Sequence, residues 1–268
     1  MYECERQRIL PVRLSAVDGQ DDEAMRLVDE STVKFEWDST LNARFDHTCH
    51  PDRFTKMTNS ERACAGSHVR AWGLVAGLFH DREASGGDES GFQRTPRKRQ
   101  RICREFSSSE EVDTLETAFS LARLGGGFAV TKQKDQTKLR DSQSHTYSKF
   151  TAPTVACCLV LEDDVKFVDV SVGKGLLLQS VVSDLLYKLP ANFDICYLGY
   201  ALPKQKMTFE NGFLRPNYLW HLHGYLLSVK GADALLRELP VVGPVDNFVA
   251  TLIHEGKLEV RAASIPGC

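Results

Sequence analysis

The stretch that decides the fold is Val155–Phe167, "VACCLVLEDDVKF". Val155–Leu161 is a continuous run of small and apolar residues, and Glu162, Asp163 and Asp164 follow it without a break. A short apolar run bounded by polar residues predicts a strand buried on both faces. Downstream, "GKGLLLQSVVSDLLYKLP" (173–190) predicts an amphipathic helix stopped by Pro190. "FDICYLG" (193–199) and "HGYLLSV" (223–229) predict two further buried strands, and "KLEVRAASI" (257–265) a last one. "GADALLREL" (231–239) and "VDNFVATLIHEG" (245–256) predict short helices between them. Upstream, "SERACAGSHVRAWGLVAGLF" (60–79) predicts a helix capped by Ser60, with Ala65, Val69, Trp72 and Ala76 on one face. Strands alternating with helices imply an α/β sheet with helices packed on its faces.

The three acids then fall at the carboxyl edge of the sheet, where α/β folds place their ligands. Three crowded carboxylates repel by roughly 1 kcal/mol per exposed pair in contact. A divalent cation offsets that repulsion, and oxygen donors suit Mg²⁺ or Mn²⁺. Such an ion neutralises a diphosphate as it leaves. The competing reading is a solvated acidic turn that caps the next segment.

The totals narrow the choice of function. The chain has 268 residues, 42% of them hydrophobic, enough for one large domain or two small ones. A net charge of −3 marks neither a nucleic-acid binder nor a membrane-surface protein. No apolar run reaches the roughly 18 residues that cross a bilayer. The N-terminal "MYECERQRILPVRLSAVDGQ" lacks the apolar core of a signal peptide. The eight cysteines contain no CxxC pair, which argues against a zinc ribbon. Cys157, Cys158 and Cys196 lie within apolar runs and read as small hydrophobes.

The chain divides into residues 1–80, an insertion over 81–153, and residues 154–268, with the flanks forming one domain. The insertion is polar, Gly/Ser-rich or strongly charged, with too little apolar surface to fold by itself. One island in it, "SSSEEVDTLETAFSLARLGGG" (107–127), carries helical spacing at Val112, Leu115, Phe119 and Ala122. "RTPRKRQRICRE" (94–105) holds six basic residues. Without interleaved aromatics it offers little for bases to stack on, so it reads as a solvated loop and no nucleic-acid partner is expected. His47, Cys49 and His50 in "HTCHPD" (47–52) lack a second ligand pair for zinc.

Several segments together resemble glycosyltransferase family 25, which holds lipopolysaccharide and procollagen galactosyltransferases. They are "RLSAVDG" (13–19), "ERACAGSHVRAW" (61–72), "LVLEDDVKF" (159–167), "FDICYLGY" (193–200), "HGYLLSVKGADALL" (223–236) and "PVDNFVA" (244–250), in the family's order. Glu61, Cys64, Ser67, His68 and Trp72 match its Glu-x-Gly-Cys-x-x-Ser-His helix. The resemblance implies a GT-A-like (Rossmann-like) mixed sheet flanked by helices, a UDP-sugar donor and a divalent metal, usually Mn²⁺. It implies inverting transfer of a sugar, commonly galactose, to a hydroxyl of a glycan, lipid-linked or hydroxylysine-type protein acceptor. The compartment it implies is the endoplasmic reticulum or Golgi lumen in a eukaryote and the cytoplasm in a bacterium. Glu162, Asp163 and Asp164 take the place of the acidic DxD-like element. Asp164, with Asp163, is the implied metal contact, while Asp163 or Glu162 holds the donor sugar or ribose. The pattern is broken at Ala63, where the family has Gly, and at the long insertion. The family's opening strand and Arg-rich turn leave only "ERQR" as a trace, and the chain stops at "SIPGC" where the family continues, so it reads as shortened at both ends. These departures motivate an alternative, a catalytically inactive member of the fold serving adhesion or scaffolding.

Other residues receive roles on this basis. Asp246, at a predicted helix start after Pro244, is the candidate base that takes the acceptor proton; its other reading is a helix-terminal acid. His221 and His223 flank Leu222 and share one side of an extended segment, with His223 a candidate metal ligand. Ser67 and His68 are expected to start a helix whose N–H groups approach a phosphate, or else to cap it. Gly224 is expected to let donor or backbone come close.

Overall fold

The computed structural model describes residues 14–45, 54–83, 157–162, 165, 178–201 and 208–263. Along the chain these form α1 (Asp22–Arg26), β1 (Glu36–Asp38), a 3-10 turn (Ser39–Arg44), β2 (Phe54–Lys56) and α2 (Asn59–Glu83). Then come β3 (Cys157–Leu161), α3 (Leu178–Lys188), β4 (Ile195–Ala201), β5 (Thr208–Glu210) and β6 (Phe213–Arg215). The described part closes with β7 (Trp220–Ser228), α4 (Val229–Arg237), α5 (Val245–His254) and β8 (Val260–Ala263). The predicted helix over 107–127, the basic run over 94–105 and the "HTCHPD" segment lie outside the described residues.

The main sheet has six strands in the order β3-β7-β4-β8-β6-β5. β7 runs antiparallel to both β3 and β4, and β4 is parallel to β8. Strands β3, β4 and β8 therefore point the same way, and their carboxyl ends share one edge. The sheet is mixed, as the resemblance implied.

Alternation along the strands builds two cores. Ile195 and Tyr197 of β4 and Tyr225 and Leu227 of β7 enter the larger core, together with Trp72 of α2, Leu235 of α4 and Phe248 of α5. The intervening Cys196 and Leu226 face the other way, into a smaller core with Val182 of α3, Phe193 and Phe213. Successive strand side chains point to opposite faces. One face is thus covered by α2, α4 and α5 and the other by α3, and the apolar sequences of β4 and β7 follow from burial on both sides, whereas β3, expected to be buried, is a half-buried edge strand.

Helix α2 buries Ala65, Val69, Trp72 and Ala76, the face expected from its spacing. Its cap is not Ser60. The helix begins at Asn59, and Thr58 and Glu61 form the reciprocal pair of a capping box. Thr58 Oγ1 accepts from the Glu61 N–H at 3.2 Å, and Glu61 Oε2 accepts from the Thr58 N–H at 2.7 Å. The earlier cap adds two residues to the helix.

Strand β7 begins three residues earlier than the sequence suggests and stops at Ser228, whose Oγ accepts from the Gly231 N–H at 2.9 Å and caps α4. Val229 is therefore helical. Asn211-Gly212, both at positive φ, turn the β5-β6 hairpin, which the strand prediction omitted. Asn-Gly is a strong short-range hairpin signal, since both turn positions need left-handed backbone.

Candidate functional site at the carboxyl edge of β3

The β3–β7 register pairs Leu161 with Gly224, so the next residue, Glu162, falls beside His223. The Glu162 N–H donates to the His223 carbonyl at 3.0 Å, which extends the ladder by one rung. This fixes the first acid of the "EDD" run at the sheet edge. Asp163 and Asp164 lie outside the described residues.

Glu162 is held by two histidines. His223 Nδ1 lies 2.6 Å from Glu162 Oε2, and His68 Nε2 lies 3.4 Å from Glu162 Oε1. Behind His68 the network runs into the core. His68 Nδ1 is 3.0 Å from the Tyr225 hydroxyl, which accepts from Trp72 Nε1–H at 3.1 Å. With the Tyr225 oxygen already taking the indole proton, its own proton is directed to His68 Nδ1. We assign the remaining imidazole proton to Nε2, facing the carboxylate. Hydrogen bonds from His68 and His223 outweigh partial burial and hold the Glu162 carboxyl down at about 2. Glu162 is therefore a carboxylate throughout the physiological range.

Cys64 stands one helical turn before His68, on the same face of α2. Its sulfur, a ring nitrogen of His68 and a Glu162 oxygen all lie within 4.8 Å of one another. Cys64 is exposed, yet desolvation of its thiol and the negative charges of Glu162 and Asp246 push that thiol up to about 11. Asp246, the second residue of α5, thus contributes to the same electrostatic environment as Glu162. Asp246 Oδ1 accepts from the Asn247 N–H at 3.0 Å, the behaviour of a helix-first-turn acid. Tyr197 is fully buried, its hydroxyl has no partner among the described residues, and it too feels the charge of Asp246.

The fold thus brings Glu162, His68 and His223 together, with Asp246 close enough to act on Cys64. It alters the local expectation for Ser67 and His68. Ser67 and His68 do not start a helix: they are eight and nine residues past Asn59, where backbone N–H groups are bonded within the helix. The Ser67 hydroxyl donates to the Ala63 carbonyl at 2.9 Å and accepts from the Val17 N–H at 2.9 Å, tying the incoming chain to α2. Gly224 is buried, and a Cβ there would sit 3.1 Å from Leu161 Cδ2, so its close neighbour is the side chain of β3.

His221 and His223 do share the exposed side while Leu222 is buried, and their rings stack with centroids 5.0 Å apart. His221 adopts φ +68°, where the β4–β7 register shifts between Gly199 and Ala201. A non-glycine residue in that region costs on the order of 1–3 kcal/mol and is characteristic of functional edges.

The contribution of Cys64 was readable only as a spacing. Cys64 and His68 are four apart on a helix, which puts them on one face. The part played by Tyr225 and Trp72 had no local signal, since their hydrogen bonds join residues 153 positions apart.

As a metal site, the described donors fit Mg²⁺ or Mn²⁺ only in part. Those ions favour several oxygen ligands, whereas the cluster offers one carboxylate, one imidazole and one thiol. Further oxygen donors would have to come from Asp163 and Asp164.

Among curated proteins, the chain is similar to procollagen galactosyltransferase 1 of Danio rerio, 28% identical over 117 residues. The alignment covers 40% of this chain and 18% of that protein, so the chain spans less than a fifth of its relative's length. No family model matches the chain, and no solved structure matches it. The likeness to a galactosyltransferase is therefore distant and partial.

Proposed function

We propose that this chain carries a metal-dependent glycosyltransferase domain of the GT-A type, taking a UDP-sugar as donor and a hydroxyl as acceptor. The observation that carries the reading is Glu162, an acid that follows the half-buried edge strand β3 and is fixed by His68 and His223. The partial likeness to a galactosyltransferase points the same way and makes galactose the first sugar to try.

In this reading Asp163 and Asp164 would hold Mn²⁺, with His223 as a further candidate ligand. The ion would supply positive charge to a departing diphosphate. Glu162, kept ionised and oriented by its two histidines, accepts hydrogen bonds from the donor's sugar or ribose hydroxyls. Asp246 takes the proton from the acceptor hydroxyl as that oxygen attacks from the face opposite the leaving group, which inverts the sugar. The acceptor is a glycan, lipid-linked or hydroxylysine-type hydroxyl.

Calorimetry of the full chain with UDP and Mn²⁺ tests the donor site, and no heat of binding on folded protein removes the reading. If donor binds, Asp246→Asn is expected to lower transfer by about 10²–10⁴-fold while leaving donor affinity within a few-fold. An unchanged rate removes Asp246 as the base.

One observation favours a second reading. Both Glu162 oxygens already face protein nitrogens, as in a structural ion cluster. A non-catalytic member of the same fold, serving adhesion or scaffolding, fits that arrangement. Donor binding without hydrolysis or transfer supports this second reading, and transfer to any acceptor eliminates it.

A further inference from the structure

Beyond the sugar-transfer reading, the same edge carries a separate metal-binding inference. Its first observation is the donor set. Cys64, His68 and Glu162 each offer one ligand atom, and the three atoms lie within 4.8 Å of one another. In a tetrahedral site with bonds of about 2.0–2.3 Å, ligand atoms are roughly 3.3–3.8 Å apart. The His68–Glu162 separation of 3.4 Å is already in that range. The Cys64 sulfur lies within 4.8 Å of both partner atoms, so closing the site requires it to approach by up to about 1 Å.

The second observation is the support behind each ligand. His68 is backed by the Tyr225 hydroxyl at 3.0 Å, which is itself fixed by the Trp72 indole. The other oxygen of Glu162 is held by His223 Nδ1 at 2.6 Å. Outer partners of this kind set ring orientation and ligand basicity in metal sites. The third observation is access: Cys64 is exposed, so the cluster can be reached from solvent.

We propose that Cys64, His68 and Glu162 form a site for a thiophilic divalent cation of the zinc class, with the fourth position left to water. Sulfur and imidazole select zinc or cobalt over magnesium and manganese. On binding, the Cys64 S–H bond breaks and its proton passes to solvent as sulfur joins the metal. His68 binds through Nε2, and the proton carried there moves to Nδ1, which then donates to the Tyr225 oxygen while the Tyr225 O–H rotates away from the ring. Glu162 binds as the carboxylate it already is. The net release is one proton per ion.

This inference stands on the described side chains and not on sugar transfer, so either can fail alone. The test titrates the reduced, metal-free full chain with Co²⁺ and then Zn²⁺, following the near-ultraviolet thiolate-to-cobalt charge-transfer band. One band per chain is expected, displaced by Zn²⁺ and unaffected by excess Mg²⁺. Cys64→Ser should abolish the band and weaken Zn²⁺ by more than the roughly 10–100-fold that losing an outer partner costs. Glu162→Gln should weaken Zn²⁺ and keep the sulfur band. In the wild-type chain, Zn²⁺ should also protect Cys64 from iodoacetamide, mapped by mass spectrometry, a readout that needs no variant to fold. No band, a band retained in Cys64→Ser, or unprotected Cys64 overturns the proposal.

Discussion

At the scale of single residues, Glu162 is the group on which the candidate site turns. Its carboxyl is lowered from 4.5 to about 2 by His68 and His223. A folded-state value below the unfolded one means stability that is complete above about pH 5 and lost as pH falls towards 2. The side chain is about a quarter exposed, at 27%, so solvent screening reduces the effect. Glu162→Gln is expected to cost about 1–3 kcal/mol at pH 7 and to flatten the loss between pH 5 and 2. Urea denaturation across that range measures both. A variant that keeps the full acid dependence would assign it to other carboxylates.

Cys64 makes the complementary case. The thiol is exposed yet raised from 9.0 to about 11, so at pH 8 its thiolate is about a hundredfold scarcer than in an ordinary cysteine. In chelator-treated protein, iodoacetamide should label Cys64 about a hundredfold more slowly than a model peptide at pH 8. Removing the Glu162 charge should speed it. Equal labelling in protein and peptide would contradict the electrostatic picture of the site.

At the scale of elements, the packing of α4 on the start of β4 is the tightest feature. A Cβ on Gly231 would lie 2.3 Å from the Asp194 carbonyl oxygen, a backbone atom that cannot swing aside. Asp194 is itself buried and anchored. It pairs with Lys230 at 2.9 Å, and its Oδ2 accepts from the Glu259 N–H at 2.7 Å. Gly231→Ala is expected to destabilise by about 1–3 kcal/mol or more through overpacking, read as a lower denaturation midpoint. A neutral result would mean that α4 can lift from the sheet without loss. Gly243 is constrained differently. It has φ +83° beneath the Trp37 ring and so closes the loop into α5, which carries Asp246.

At the scale of the molecule, Trp72 joins the layers. It stacks on Phe248 of α5, hydrogen-bonds Tyr225 of β7 and lies beside His68, so the candidate site and the larger core share it. Trp72→Ala is expected to cost about 3–5 kcal/mol and to release His68 from its position. Thermal melting together with the histidine resonances of the folded variant checks both parts. A large melting shift with unmoved His68 resonances would separate core from site.

The four longest strands and helices α2 to α5 were legible in the sequence, whereas α1, β1, β2 and the β5-β6 hairpin were not. The apolar runs at Val155–Leu161 and 193–199 read as strands, although β3 proves to be a half-buried edge strand, and the buried face of α2 followed from spacing. What misled was local chemistry with two solutions: Ser60 or Thr58 as the cap of α2, and Ser228 as the end of a strand or the cap of a helix. Those choices are settled by which group the neighbouring chain leaves unsatisfied. The acids after β3 were visible as a cluster, but their partners were not. Glu162 meets His68 across 94 positions and His223 across 61, and the antiparallel register of β7 beside β3 sets the second meeting. Periodicity and capping act over a few residues and are written in the sequence. Pairing a carboxylate with two imidazoles, and setting a cysteine beside them, depends on strand order and helix docking, which only the assembled fold decides.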